Sequence, residues 1–205
     1  MKLSRILRVF QEEGIKGINN KIICRFYIKM YIYKTDLRFI NKYSEKKLKL
    51  VSLNDEMLDI MYKKYHDELE YEKYELLKNR LNEESTDKTY VVLDSENEIC
   101  GYFNIAFGEG FDRYTNYVIS NENLNVYLFD DYTFIKKRGM GIHKFSIYSR
   151  CELAEKLGYK TASVMIISGN KYSEHAYTKF CFKKIKELNH YRFFKFKKNV
   201  IKLLI

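Results

Sequence analysis

The sequence predicts an α/β protein of the α+β type, in which helices flank a mixed, mostly antiparallel sheet and a helical extension precedes it. From residue 48 onward, short apolar runs that alternate or are bounded by turn residues recur along the chain, and such runs are typical of strands. Amphipathic stretches with helical spacing lie between them, and one directly follows a strand through a glycine-containing turn. A chain of 205 residues with 46% hydrophobic residues is long enough to bury a substantial core.

The first 47 residues form a basic amphipathic extension. Apolar residues at helical spacing predict a helix in two pieces over residues 1–33, with breaks at Gly14 and Gly17, and a strand is predicted at 31–39. The apolar positions are Leu3, Ile6, Leu7, Phe10, Ile18, Ile22, Phe26 and Met30, and Lys and Arg residues occupy much of the opposite side. Three interpretations stay open: peripheral membrane contact through residues 1–30, docking on a partner or a second subunit, and packing on the protein's own domain.

The main predicted domain covers residues 48–198, and residues 199–205 form a tail. Strands are predicted at 46–53, 88–93, 98–107, 115–120, 125–135, 159–167, 182–188 and 191–197, and helices at 55–66, 67–82, 141–157 and 171–180. Asn54 or Asp55 is expected to cap the first helix, because both side chains can accept a hydrogen bond from a free N–H group. Gly158 ends the third helix and Asn170 caps the fourth. The turn at 94–97 predicts a hairpin.

Charge and cysteine usage exclude several classes of protein. Residues 1–47 contain 12 Lys and Arg residues against 4 Asp and Glu residues, residues 183–205 contain 8 against 1, and the middle is net acidic within a total of +10. A uniformly basic nucleic-acid-binding domain does not have this distribution, although a basic face built from both termini remains an alternative. No Cys-x-x-Cys pair and no signal peptide are present, which favours a reduced, cytoplasmic protein. The uncharged stretches are too short to span a membrane.

A glycine-containing turn separates the strand at 125–135 from the helix that follows. It reads Arg138-Gly139-Met140-Gly141-Ile142-His143. Glycines let backbone N–H groups approach an anion, and the first N–H groups of a helix lack intrahelical acceptors and lie at the positive end of its macrodipole. The segment therefore predicts a diphosphate site to which Arg138 adds charge. Taken alone, the segment also fits a plain turn.

A second motif downstream makes the interpretation more specific. Asn170, Ser173, Tyr177, Phe180 and Phe182 have the spacing Asn-x-x-(Ala/Ser)-x-x-x-Tyr-x-x-x-Gly-Phe, with Cys181 in place of the glycine. Together with Arg-x-x-Gly-x-(Gly/Ala), carried by Arg138 and Gly141, this order of motifs resembles the GNAT acyl-CoA N-acyltransferase superfamily. His143 stands where that family has Gly or Ala. The resemblance covers residues 48–197.

The resemblance implies a GNAT-like fold and direct transfer of an acyl group from acetyl-CoA or another acyl-CoA to a nucleophile. It implies that a backbone N–H around residues 133–135 polarises the thioester carbonyl. The implied coenzyme-binding residues are Thr133, Phe134, Ile135, Arg138, Gly139, Met140, Gly141, Ile142, His143, Asn170, Ser173 and Tyr177. For Asn170, capping a helix and binding the coenzyme are compatible roles. No cluster of His, Cys and acidic residues has metal-ligand spacing, so no metal site is expected.

Candidate catalytic groups follow from the same resemblance. Tyr177 matches the tyrosine that faces the coenzyme sulfur, and a phenol can protonate a thiolate of similar basicity. Asp130 and Asp131 are the candidate general bases, and strand alternation predicts that one faces the cleft while the other faces away. Glu109, His66 and His143 are further candidates for the base.

These observations predict an acyl-CoA-dependent acyltransferase, most simply an N-acetyltransferase. The acceptor is expected to be a small-molecule or a sugar- or lipid-linked amine, because the basic front end resembles extensions of bacterial superfamily members of envelope-polysaccharide or specialised-metabolite pathways. The competing hypothesis is a non-catalytic acyl-CoA-binding or basic partner-binding protein that kept the fold. Two alternatives stay open: the protein contacts the inner membrane surface, or it forms a homodimer. Nucleic-acid binding is disfavoured.

Overall fold

A mixed eight-stranded sheet forms the centre of the protein. The computed structural model describes residues 26–45, 47–82, 85–120, 123–193 and 196–204. The strands are β1 (Tyr27–Asp36), β2 (Lys49–Ser52), β3 (Asp87–Leu93), β4 (Ile99–Phe107), β5 (Gly110–Asp112), β6 (Tyr117–Ser120), β7 (Asn125–Thr133), β8 (Thr161–Ile167), β9 (Lys183–Phe193) and β10 (Phe196–Leu203). The helices are α1 (Asp55–Lys64), α2 (Tyr71–Asn79), α3 (Ile142–Lys156) and α4 (Lys171–Thr178), and short 3-10 helices cover Leu37–Phe39 and Ile135–Lys137.

The strand order is β10-β9-β1-β8-β7-β4-β3-β2, and β5 and β6 form a separate hairpin. Neighbouring strands are antiparallel except β7 and β8, which run parallel from Asn125↔Thr161 to Leu128↔Val164. Beyond these pairs β7 continues to Thr133 and β8 to Ile167. We call the space between residues 129–133 of β7 and residues 165–167 of β8 the β7–β8 gap. Along this stretch β7 and β8 have no paired residues.

A β-bulge marks the start of the β7–β8 gap. The register between β4 and β7 shifts between Tyr102 and Asn104, and Asp130 has a positive φ of 50°. A bulge inserts one extra residue into one strand and bends that strand, because two of its residues oppose one on the partner. The bulge therefore bends β7 away from β8 at the residues where the pairing of the two strands ends.

Apolar layers cover both faces of the sheet. On one face, α3 and α4 pack on β7 and β8 through a cluster that includes Val126, Leu128 and Val164. On the other face, α1 and α2 pack on β3 and β4 around Val91, whereas its neighbour Val92 belongs to the cluster that packs on the start of α3. This alternation follows from the period of two residues in a strand.

Local signals explain the helix boundaries. The Asn54 side chain accepts a hydrogen bond from the Met57 N–H group (2.8 Å), so Asn54 rather than Asp55 caps α1. Asn170 caps α4 in the same way, and Gly158 follows α3 with φ +90°, both as predicted. The predicted helix at 67–82 is shorter in the structure, where α2 covers Tyr71–Asn79.

The prediction of helix over residues 1–33 is wrong for 27–33, which belong to β1, and the part from 1 to 25 lies outside the described residues. Ile28, Met30 and Ile32 alternate along the sequence, and Met30 fits both a helical and a strand pattern with its neighbours. β1 lies inside the sheet between β8 and β9. The sheet thus includes residues from the predicted extension, and β10 carries it to Leu203, into the predicted tail.

Among the described residues, no helix has the length and apolar character needed to cross a bilayer.

We expect Ile32→Ala to lower the free energy of unfolding by about 2–5 kcal/mol, since it empties a fully buried position in the middle of β1. Ile201→Ala on β10 is the matched control, because Ile201 is 46% exposed and its truncation leaves little cavity. Urea unfolding of both variants measures the difference. Equal stability of the two variants would show that β1 contributes little to the core.

Candidate functional site

The predicted anion site is a helix start with two left-handed glycines. A 3-10 helix ends at Lys137, Gly139 and Gly141 have φ of 83° and 75°, and α3 begins at Ile142. Backbone N–H groups in the first turn of a helix have no intrahelical acceptor, and the macrodipole places positive potential there. The turn can therefore present several donors to one anionic group, as the sequence predicts.

Lys137 fixes this turn to the β3–β4 turn, which lies at the same end of the sheet. Its Nζ atom lies 2.7 Å from an Asp94 oxygen and 2.6 Å from a Glu98 oxygen, in the turn between β3 and β4. The hydrogen bond from Lys137 outweighs burial and lowers the pKa of Asp94 to about 2. The sequence predicts the turn at 94–97, whereas its ionic contact with the glycine segment is visible only in the structure.

Tyr43 lies directly beside the helix start. A Cβ atom placed on Gly141 would be 2.8 Å from the Tyr43 hydroxyl, so both the backbone conformation and the available space favour glycine there. The Tyr43 ring packs edge-on against Phe180 with ring centroids 6.0 Å apart. A residue of the predicted extension thus reaches the site, which sequence reasoning missed because the contact is tertiary.

A buried ionic network lies beside the β7–β8 gap. The Arg150 guanidinium binds Asp131 with two hydrogen bonds of 2.8 and 2.6 Å, and the Arg150 side chain has no solvent exposure. The Tyr177 hydroxyl donates to Asp131 (3.0 Å), and His143 Nε2 lies 3.3 Å from the same carboxylate. Asp131 therefore joins β7 to both helices of one face, at the position where the sequence placed a catalytic acid and a candidate base.

The network shifts the pKa values of its members in opposite directions. Burial alone would raise the Asp131 pKa, but Arg150 and the contact with His143 outweigh it and hold that pKa below its usual value. Burial, together with the negative charge of Asp131, raises the Tyr177 pKa well above 10. Asp131 is therefore an anion at neutral pH, and Tyr177 is a neutral hydrogen-bond donor to it.

Asp130 lies on the other face of the sheet. Its carboxylate contacts Lys73 Nζ at 2.7 Å and Arg80 Nη1 at 2.9 Å, next to α2. The Asp130 side chain is 28% exposed, whereas that of Asp131 is 11% exposed. The two adjacent carboxylates therefore face opposite layers, and cations hold each of them.

The backbone N–H groups of residues 133–135 are expected to face a thioester. One of the three points in a direction that allows this. The Phe134 N–H group donates to the Cys100 carbonyl (3.0 Å), and the Ile135 N–H group donates to Glu68 (2.9 Å). Successive N–H groups of a strand point to opposite edges, so the Thr133 N–H group points away from β4 and into the β7–β8 gap. Arg138 Nε donates to the Thr133 carbonyl (3.2 Å) at the same edge.

The remaining predicted residues lie at the rim or elsewhere. The Asn170 side chain accepts a hydrogen bond from the Ser173 N–H group (3.1 Å), which is a capping contact. His66 lies on the surface beside Asp67. Glu109 follows the end of β4 that pairs with the start of β7, so it lies at the opposite end of β7 from the bulge.

No family model and no curated protein matches this sequence. Among solved structures, AAC(6')-Iy in complex with the bisubstrate analogue CoA-S-monomethyl-acetylneamine matches with a TM-score of 0.53 and 10% identity, over 67% of this chain and 91% of that chain. The chain has the GNAT fold.

Two further structures match nearly the whole GNAT-fold chain. A functionally unknown conserved protein from Staphylococcus epidermidis gives a TM-score of 0.55 at 8% identity, over 93% of this chain and 68% of that chain. A Drosophila protein gives a TM-score of 0.52 at 11% identity over 94% of this chain, and the match spans 58% of the Drosophila protein. Both similarities extend over more of this chain than the match to AAC(6')-Iy does.

We expect Arg150→Met to destabilise this GNAT fold by about 3–5 kcal/mol, because it leaves Asp131 buried without its cation. The double variant Asp131→Asn with Arg150→Met should recover part of that loss, since removing both charges avoids an unpaired one. Urea unfolding at neutral pH compares the two proteins. A double variant no more stable than Arg150→Met would contradict the assigned charge state of Asp131.

The lowered pKa of Asp131 also predicts an acid-side effect. A carboxyl group with a lower pKa in the folded state stabilises the fold above its unfolded pKa, near 4, and loses that contribution as the pH falls through the folded value. In the double variant this contribution is absent. Its unfolding free energy should therefore change less than that of the wild type between about pH 5 and pH 2, as followed by circular dichroism.

Proposed function

We propose that the protein is an acyl-CoA-dependent acyltransferase, and specifically an N-acetyltransferase that transfers the acetyl group of acetyl-CoA directly to an amine. One observation carries the proposal: in a GNAT fold, the β7–β8 gap opens beside a glycine turn that begins α3. The proposed acceptor is a small-molecule or a sugar- or lipid-linked amine. The bisubstrate analogue in the AAC(6')-Iy structure supports an amine as the acceptor.

The proposed coenzyme site follows the two motifs. The diphosphate binds the backbone N–H groups of residues 139–143 at the start of α3, and Arg138 adds a positive charge where the turn meets the gap. The pantetheine chain enters the β7–β8 gap, with Asn170 and Ser173 at its rim. The Thr133 N–H group donates a hydrogen bond to the thioester oxygen, because this N–H group points into the gap.

The chemistry needs a donor for the oxyanion, a group that takes the amine proton, and a group that returns a proton to the thiolate. The Thr133 N–H group serves as the oxyanion donor. Asp130 lies on the face of α1 and α2 and offers a partly exposed carboxylate to an acceptor ammonium. Asp131 and Tyr177 lie on the other face, within one hydrogen-bonded network.

We expect Gly141→Val to weaken coenzyme A binding by at least about tenfold, because the side chain would project among the backbone donors and against the Tyr43 hydroxyl. Gly158→Val is the matched control. Its φ of +90° imposes similar strain, but a Cβ there meets no other atom within 4 Å. Calorimetry with coenzyme A compares both variants with the wild type, and equal affinity in all three would argue against the proposed diphosphate site.

A non-catalytic acyl-CoA-binding protein is the second candidate, favoured by the His143 side chain at a motif position where the family has Gly or Ala. An imidazole there occupies space beside Asp131, next to the proposed path of the pantetheine chain. Release of free coenzyme A from acetyl-CoA, measured across a panel of amines and amino sugars, separates the two. Thermal stabilisation by acetyl-CoA without acceptor-dependent release would favour the binding protein.

A further inference from the structure

We propose that His143 is the catalytic group that exchanges protons during acyl transfer, that Asp131 orients it, and that Tyr177 is a positioning residue. The inference rests on the acyltransferase function proposed above and assigns its proton chemistry to a side chain outside the family motif. It is carried by the arrangement of three side chains around one carboxylate: Arg150, Tyr177 and His143 all contact Asp131.

Three members of the network are poorly suited to proton exchange. Arg150 stays protonated at any physiological pH and is fully buried. Transfer of a proton from Tyr177 would create a buried phenolate next to the Asp131 carboxylate, and burial together with that charge raises the Tyr177 pKa well above 10, which makes its phenol a poor proton donor to a thiolate. Asp131 is stabilised as an anion, which makes it a weak base.

His143 has the properties that the other three lack. Imidazole is the side chain that takes up and releases protons near neutral pH. The His143 side chain is 27% exposed, whereas Tyr177 is almost completely buried, so His143 is the member open to a ligand. Its backbone lies in the first turn of α3, at the proposed diphosphate end, while its ring reaches the β7–β8 gap at Asp131.

Neighbouring groups fix the orientation of the imidazole. Nε2 lies 3.3 Å from Asp131, which leaves Nδ1 as the nitrogen that can meet the substrate. The His143 ring lies edge-on to the Tyr177 ring with centroids 5.6 Å apart, and nearly parallel to the Phe103 ring at 6.4 Å. The Tyr177 ring therefore supports the imidazole, which is a positioning role. Asp131 from β7 and Tyr177 from α4 contact His143, Arg150 from α3 binds the same carboxylate, and the Tyr43 hydroxyl lies near Gly141, two residues earlier in the chain.

The proposed step balances without a further reactant. The lone pair of the acceptor nitrogen forms a bond to the thioester carbon, and the oxyanion is held by the Thr133 N–H group. Collapse of this intermediate breaks the C–S bond and leaves the electron pair on sulfur. His143 Nδ1 takes the proton released by the nitrogen and delivers it to the thiolate, which regenerates neutral imidazole. Asp131 stabilises the imidazolium that forms in between.

The test compares His143→Gln, His143→Ala and Tyr177→Phe in the full chain, with His175→Gln on the exposed side of α4 as the matched control. The assay follows coenzyme A released from acetyl-CoA with glucosamine, ethanolamine and spermidine as acceptors, over pH 5.5–9. We expect His143→Gln to lower kcat by about 10²-fold or more and to remove the acid limb of the pH profile, with coenzyme A affinity changed less than about threefold.

Three further outcomes discriminate between the roles. Added imidazole should restore part of the rate of His143→Ala. Tyr177→Phe should lose less than about tenfold in kcat and keep the acid limb of the pH profile, and added imidazole should not raise its rate. The inference is overturned if His143→Gln keeps the wild-type pH profile, or if Tyr177→Phe shows the larger loss. A wild type that binds coenzyme A but releases none from acetyl-CoA with any acceptor overturns the proposed function, and the inference with it. His175→Gln should match the wild type.

Discussion

The buried ion pair between Asp131 and Arg150 is the interaction on which the site depends. A carboxylate removed from water is costly unless its oxygens are bonded, and here a guanidinium with no solvent exposure binds both of them. The pair ties the middle of α3 to β7 just beyond the bulge. Because His143 and Tyr177 contact the same carboxylate, the pair also fixes where these two side chains stand relative to the β7–β8 gap.

Asp130 gives this pair its counterpart on the other face. Alternation along β7 points the two consecutive carboxylates to opposite layers, where Lys73 and Arg80 hold the first and Arg150 holds the second. Helices on both sides of the sheet are therefore fastened to one short stretch of one strand. Beyond its last pair with β8, β7 has no paired residues on that strand to fix the direction of its N–H groups. These side-chain contacts keep the stretch rigid instead.

The features that the sequence predicted are those encoded locally. The turn before α3, the caps at Asn54 and Asn170 and the glycine after α3 depend on residues within a few positions of each other. The contacts that it did not predict join distant residues, such as Lys137 with Asp94 across 43 positions. Hydrophobic spacing also failed to predict the first part of β1. Met30 belongs both to a series of apolar residues spaced by four, which indicates a helix, and to a series spaced by two, which indicates a strand. The opposite faces of Asp130 and Asp131 followed from alternation, but their cationic partners did not.

The place of β1 in the sheet has a consequence for the order of folding. The strand pairs with β8 through Met30↔Ile167 and with β9 through Tyr27↔Tyr191, so most of the chain separates it from its neighbours. Contacts of such long sequence separation close large loops and form slowly. On a ribosome, β1 emerges first and must wait for the strands on both of its sides. Until β8 and β9 are made, both edges of β1 stay open to pairing with other chains.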